Sequence, residues 1–158
     1  MTTGSRTSKA GSVGNAAYAQ SADINALGGS LIQYDHQTSS TTGVTSVQDI
    51  STITFTAVGS RFLAVRVHIG LVVQNTASGL VKVLLRDGSG NALGAFLNRN
   101  MAAADRAECD AQIVLSPSAG STTYKLSIQT SGGTVDANAN SSDPGPLQFQ
   151  IWDIGPSF

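Results

Sequence analysis

The chain has 158 residues, enough for one domain with a core of its own. Hydrophobic residues make up 41% and charged residues 12%, about half the usual charged share, and the net charge is −1. That balance excludes a basic field for gathering nucleic-acid phosphates, and no apolar run approaches the ~18 residues of a membrane-spanning helix. The polar surface therefore consists of Ser, Thr, Asn, Gln and Gly, which suits a surface packed against copies of itself.

Residues 1–29 differ from the rest. "MTTGSRTSKAGSVGNAAYAQ" has no apolar stretch of the kind a secretory signal requires. "NAAYAQSADINALGG" predicts a short helix stopped at Gly28-Gly29. Such a helix is marginal alone, being near the ~12–15 residue limit of isolated helices in water. The segment reads as a flexible arm that gains order by lying on a partner, with Arg6, Lys9 and Tyr18 as its candidate contacts. Arg6 and Lys9 have no acid near them in the sequence, and either touch an acidic partner or stay solvated.

From Leu31 onward the pattern has a period of two, the signature of half-buried strands. "ISTITFTAV" puts Ile53 and Phe55 on one face and Thr52, Thr54 and Thr56 on the other. "RFLAVRVHIGLVVQ" aligns Leu63, Val65, Val67, Ile69, Leu71 and Val73, with Arg66 and His68 facing away. "GLVKVLLRDGSGNALGAFL" reads as strand, Asp-Gly turn, strand. "NRNMAAADRAE" breaks the period and predicts a loop or one helical turn. "AQIVLSP" and "STTYKLSIQT" are further strands, the second with Tyr124, Leu126 and Ile128 inward. "SGGT" turns into "TVDANAN", and "SSDPGP" leads into "LQFQIWDIGP", with Leu147, Phe149 and Ile151 in the core. Eight or nine short strands with turn signals between them predict an all-β antiparallel sandwich, most simply a jelly roll, over residues 30–158.

The chemistry-bearing residues are sparse. His36 and His68 have no metal-ligand spacing, so solvated polar residues explain them best and neither a metal nor a cofactor is expected. No G-x-S-x-G elbow exists, and "DGSGNALG" has the wrong spacing for a phosphate loop. The acids Asp87, Asp105, Glu108, Asp110, Asp136, Asp143 and Asp153 are scattered, with no local pair of the kind a glycosidase uses. Asn140-Ser141-Ser142 matches a glycosylation sequon, which carries no meaning without a secretory signal. The lone Cys109 allows no internal disulfide, and its neighbours Glu108 and Asp110 disfavour a thiolate. Catalytic residues are accordingly not expected.

What remains is surface. The strand holding Leu80 and Leu84 also holds Val81, Val83 and Leu85, so it is apolar on both faces, as is the long strand through Phe62 and Val72. A strand apolar on both sides of a two-layer sandwich needs a second burial partner, most simply another subunit. Phe62, Leu80, Leu84 and Trp152 are the candidate subunit interface. Trp152 either anchors that contact or covers the sandwich end under a loop.

The run "ISTITFTAVGSRFLAVRVHIGLVVQ", then "VKVLLRDGSGNALG", then "PSAGSTTYKLSIQTSGGTVDANANSSDPGPLQFQIWDIGP" resembles the β-sandwich virion proteins of tailed actinobacterial phages over about residues 30–156. The shared features are a "TFTA" run before a strand, an "AGS-TYKL" strand with a Gly-Thr turn, and a final strand into "DIGP". The resemblance implies a head decoration, head fibre or minor tail protein. It also implies a homotrimeric jelly roll like those of the tumour-necrosis-factor and C1q type, and no catalytic residues. A single small domain with an arm, lacking repeats or a coiled-coil stalk, fits a capsid decoration protein bound to the major capsid protein in a virion assembled in the host cytoplasm. The alternatives are a receptor-binding tail protein and a sandwich-fold hydrolase, the last requiring His36, His68 and carboxylates to converge in a cleft.

Overall fold

A computed structural model of the chain describes residues 29–139 and 145–157. The arm with Arg6, Lys9 and Tyr18, the short helix and the Asn140 sequon lie outside the described residues.

Ten strands follow in chain order: β1 (Ser30–Gln37), β2 (Thr41–Val44), β3 (Gln48–Ala57), β4 (Arg61–Gln74), β5 (Gly79–Asp87), β6 (Ala92–Met101), β7 (Arg106–Leu115), β8 (Gly120–Thr130), β9 (Val135–Asn138) and β10 (Leu147–Pro156). All their pairings are antiparallel. One sheet holds β1, β10, β4, β9, β2 and β7, and the other runs β3-β8-β5-β6. The pairs β1·β10, β3·β8, β4·β7 and β5·β6 nest inside one another along the chain and alternate between the sheets. That nesting is the double Greek key of a jelly roll, as the sequence predicts. The four-residue β2 and β9 account for the count above eight. They pair with each other, and β9 continues along the edge of β4 beyond the end of β10.

The core forms where the inner faces meet. Val65, Val67, Ile69, Phe149 and Ile151 come from the six-stranded sheet, and Val81, Val83, Leu85, Leu126 and Ile128 from the four-stranded one. Ile53, Phe55 and Tyr124 extend it, with the Phe55 and Tyr124 rings tilted at 5.5 Å between centroids. Thr52, Thr54 and Thr56 are exposed, as their alternation requires.

One expectation is corrected, and one of two alternatives is decided. In β4 the alternation holds only to Ile69. Between Ile69 and Val72 two residues oppose one on β7, a β-bulge. A one-residue slip exchanges the faces of a strand. Val72 and Gln74 therefore turn into the core, while Leu71 and Val73 stay only half-buried. Val72 is thus core, not a second apolar face. The Ala-rich stretch after Asn98 forms no helical turn. β6 runs on to the buried Met101, and a tight turn follows, with Asp105 Oδ2 accepting from the Ala102 N–H at 2.8 Å and Ala104 at φ 67°. Strand pairing with Met101 in the core outweighs alanine's helix propensity over so short a run.

Candidate functional site

The outer face of the six-stranded sheet carries most of the large exposed apolar side chains. Directly paired residues of antiparallel strands share a face, so the register defines rows across β1, β10, β4 and β7. One row is Leu31–Trp152–Ala64–Val114. The next is Tyr34–Gln150–Arg66–Gln112, and the third is His36–Gln148–His68–Asp110. Leu31 is 42% exposed, Tyr34 60% and Val114 46%, and Trp152 is half-buried between them. Phe62, half-buried, pairs with Gly155 just beyond the first row. Ile154, the extra residue of a bulge in β10, is exposed beside it.

Hydrogen bonds fix the orientation of the tryptophan. Its indole N–H donates to Gln150 Oε1 at 2.9 Å, and Gln150 Nε2 donates to Gln148 Oε1 at 3.0 Å. The Arg66 guanidinium lies 5.5 Å from the Trp152 ring centroid, a cation–π contact, and Arg66 Nε donates to Gln112 Oε1 at 3.2 Å. Trp152 therefore lies on the sheet face with its indole flanked by strands, not under a loop at the sandwich end.

The expected interface residues divide between two faces. Phe62 and Trp152 lie on the face just described. Leu80 and Leu84 lie on the outer face of the four-stranded sheet, because Val81, Val83 and Leu85 beside them are fully buried in the core. Leu84 pairs with Ser127, which is outward yet covered. Ser127 Oγ donates to Asp49 Oδ1 at 2.6 Å, and Asp49 forms ion pairs of 3.1 Å with both Arg86 and Lys125. Burial alone would raise the Asp49 pKa, but these partners together hold it below the usual carboxylate value.

The histidines do not converge. His36 and His68 flank Gln148 from either side, two strand spacings or roughly 10 Å apart, and His36 is exposed. The cleft that a hydrolase would need is not built around them. What β7 does bring to His68 is Glu108 and Asp110, with His68 Nδ1 3.8 Å from Glu108 Oε1 and 3.7 Å from Asp110 Oδ2. Along the sequence these acids are scattered, because the pairing that joins position 68 to position 110 has no local signal.

A separate cleft of about 340 Å³ opens at one end of the sandwich, lined by Ser30, Ile32, Thr56, Val58, Arg61, Leu63 and Asp153. Its two charged groups face each other, with Arg61 Nε and Nη2 donating to the Asp153 carboxylate at 2.8–3.1 Å. A paired, bidentate couple of this kind positions strands rather than reacting. Cys109 points into the core opposite Ile69, and burial, with help from Asp110, pushes its thiol up to about 12. It is an inert core residue.

No protein-family model and no curated protein matches the chain. Among solved structures it is similar to a chain in the structure of the infectious bursal disease virus Gx strain, with 13% identity and a TM-score of 0.42. That overlap spans 82% of this chain and 39% of the other. A chain of the crystallographic T13 particle of the same virus gives 12% identity and a TM-score of 0.41 over 82% and 37%. The VP2 subviral particle gives 12% and 0.39 over 79% and 38%. The chain thus spans about two fifths of the length of these relatives. Overlap this partial carries no functional argument.

Proposed function

We propose that the chain is a non-enzymatic structural protein of a virion, a capsid decoration protein that assembles as a trimer and binds the major capsid protein of the completed head. The observation that carries the reading is the apolar row Leu31–Trp152–Ala64–Val114 on the outer face of the jelly roll, with Leu31 and Val114 exposed and Trp152 half-buried between them. An apolar row holding a Trp, with Tyr and Arg in the row beside it, is a feature of association surfaces. The sequence resemblance to phage virion sandwiches supports the same class. Fold alone does not, since jelly rolls serve many functions.

A trimeric ring is heterologous, so each subunit contributes two different patches. Phe62 and Trp152 on one sheet and Leu80 and Leu84 on the other supply them. Residues 1–29 are the arm that reaches the capsid through Arg6, Lys9 and Tyr18. Trimer valency raises the avidity of weak arm contacts, and binding only to the assembled shell stabilises that shell.

The test combines two variants. Trp152→Asp and Leu84→Asp each break one patch, so each alone sediments as a monomer. Mixed in equal amounts they retain one intact junction and form a dimer. A trimer surviving either substitution, or a mixture that stays monomeric, overturns the ring. Deleting residues 1–29 leaves the folded trimer and abolishes binding to purified capsids. Unchanged binding sinks the arm, and labelling of tails rather than heads in electron micrographs moves the protein to the receptor-binding class.

A further inference from the structure

We propose that His68, Glu108 and Asp110 bind a divalent transition-metal ion of the zinc class on the outer face of the six-stranded sheet. This goes beyond the decoration reading and does not depend on it. The three side chains place one nitrogen and two carboxylate oxygens within 4.8 Å of one another. The separations of 3.7 and 3.8 Å from His68 Nδ1 exceed a hydrogen bond. They approach the spacing of ligands around a shared ion, which is about 3.4 Å for tetrahedral bonds of ~2.0–2.2 Å. Rotations of the exposed Glu108 and Asp110 side chains bring their carboxylates, now within 4.8 Å of each other, to that spacing.

The backbone explains why these three meet. His68 on β4 is paired directly with Asp110 on β7. Glu108 precedes Asp110 by two residues on the same face, with Cys109 turned inward between them. Beyond Ile69 the bulge sets Gly70 and Leu71 against Glu108 alone. Gly70 has no side chain to fill the outer face there, and Glu108 leans toward His68. The neighbouring cation on this face of β4, Arg66, is engaged with Gln112 and Trp152. A depression of about 310 Å³, bounded by Arg66, Val67, His68, Asp110, Gln148 and Gln150, leaves room for water or a fourth ligand.

The donor set selects the ion. One imidazole with two carboxylates suits zinc and its neighbours in the first transition row, whereas calcium and magnesium favour sites built of oxygen alone. The ion would tie β4 to β7 two rows from the apolar row, across the Arg66–Gln112 pair.

The full chain, freed of metal by chelation, is titrated calorimetrically with zinc chloride, with cobalt(II) absorption as a second readout and calcium chloride as the contrast. Zinc is expected to bind saturably at one site per chain, with calcium inert. His68→Ala and Asp110→Asn each weaken zinc binding by more than about tenfold while their melting curves in chelator match the parent. His36→Ala leaves the affinity unchanged. The proposal is overturned by an absence of saturable zinc binding, or by equal affinity in the parent and both site variants. It is also overturned by calcium binding in place of zinc, or by a loss in His36→Ala as large as in His68→Ala.

Discussion

Gln74 is the residue whose role departs most from its sequence pattern. It is fully buried, and its side-chain oxygen accepts from the Thr130 hydroxyl at 3.0 Å. Its amide donates to the carbonyls of Ala77 and Gly132. Its own backbone joins Asp105 and Ala104. One residue, through side chain and backbone, thus ties three turns at one end of the sandwich. Gly133 shares this cluster at φ +62°, where a Cβ would sit 2.6 Å from the Ala77 nitrogen. Gln74→Ala removes the three hydrogen bonds of a fully buried side chain, and urea denaturation should show a loss of about 1–3 kcal/mol. Cys109 gives a second residue-scale prediction. With its thiol buried and pushed up to about 12, it should resist a thiol reagent at pH 8 in the native chain and react promptly in urea. Of the three depressed carboxyls among the described residues, Asp35 and Asp49 give a third prediction. At Asp35, burial raises the pKa, but bonds from Ser51, Gln37 and the His36 N–H together bring it below the ordinary 3.8, and Asp49 behaves likewise. A depressed carboxyl stabilises the fold above its unfolded pKa, and that contribution is lost as pH falls through the folded value. Urea midpoints should therefore decline from about pH 5 downward, and the double variant Asp35→Asn, Asp49→Asn should decline less steeply.

At the scale of the element, regular alternation was readable and its interruption was not. Ile53 and Phe55, Tyr124, Leu126 and Ile128, and Leu147, Phe149 and Ile151 all face inward as their spacing predicts. The pattern of β4 fails after Ile69 because a bulge is a property of two strands, and the sequence of one strand does not display it. The same limit hid the surface. Trp152 stood out by its chemistry, but Leu31 and Val114 join its row only through registers that link β1, β10, β4 and β7. His68 drew notice by its type, while its partners stand some forty positions away on β7. A variant separates the two duties of β10. Phe149→Ala empties a fully buried position and should cost about 3–5 kcal/mol. Trp152→Ala, on the outer face, should shift the melting temperature only slightly while weakening self-association in sedimentation.

At the scale of the whole molecule, the fold class followed from strand count, turn signals and the lack of helical periodicity, whereas the strand order did not. β1 pairs with β10 through partners from Gln37–Leu147 out to Ser30–Asp153, and contacts so distant in sequence make folding slow, in the millisecond-to-second range. Stopped-flow refolding followed by the fluorescence of Trp152 should show it, and a chain ending at residue 146 should not fold.

The position of β10 between β1 and β4 has a consequence during synthesis. Until a ribosome has delivered that strand, the larger sheet has a slot with unpaired backbone on both sides, open to any strand that finds it. A chain not yet extended through residues 147–156 is therefore exposed to mispairing with other copies. A copy cut before residue 147 lacks the strand that joins β1 to β4 and, with it, Trp152, so insertion of β10 is the step that closes the larger sheet.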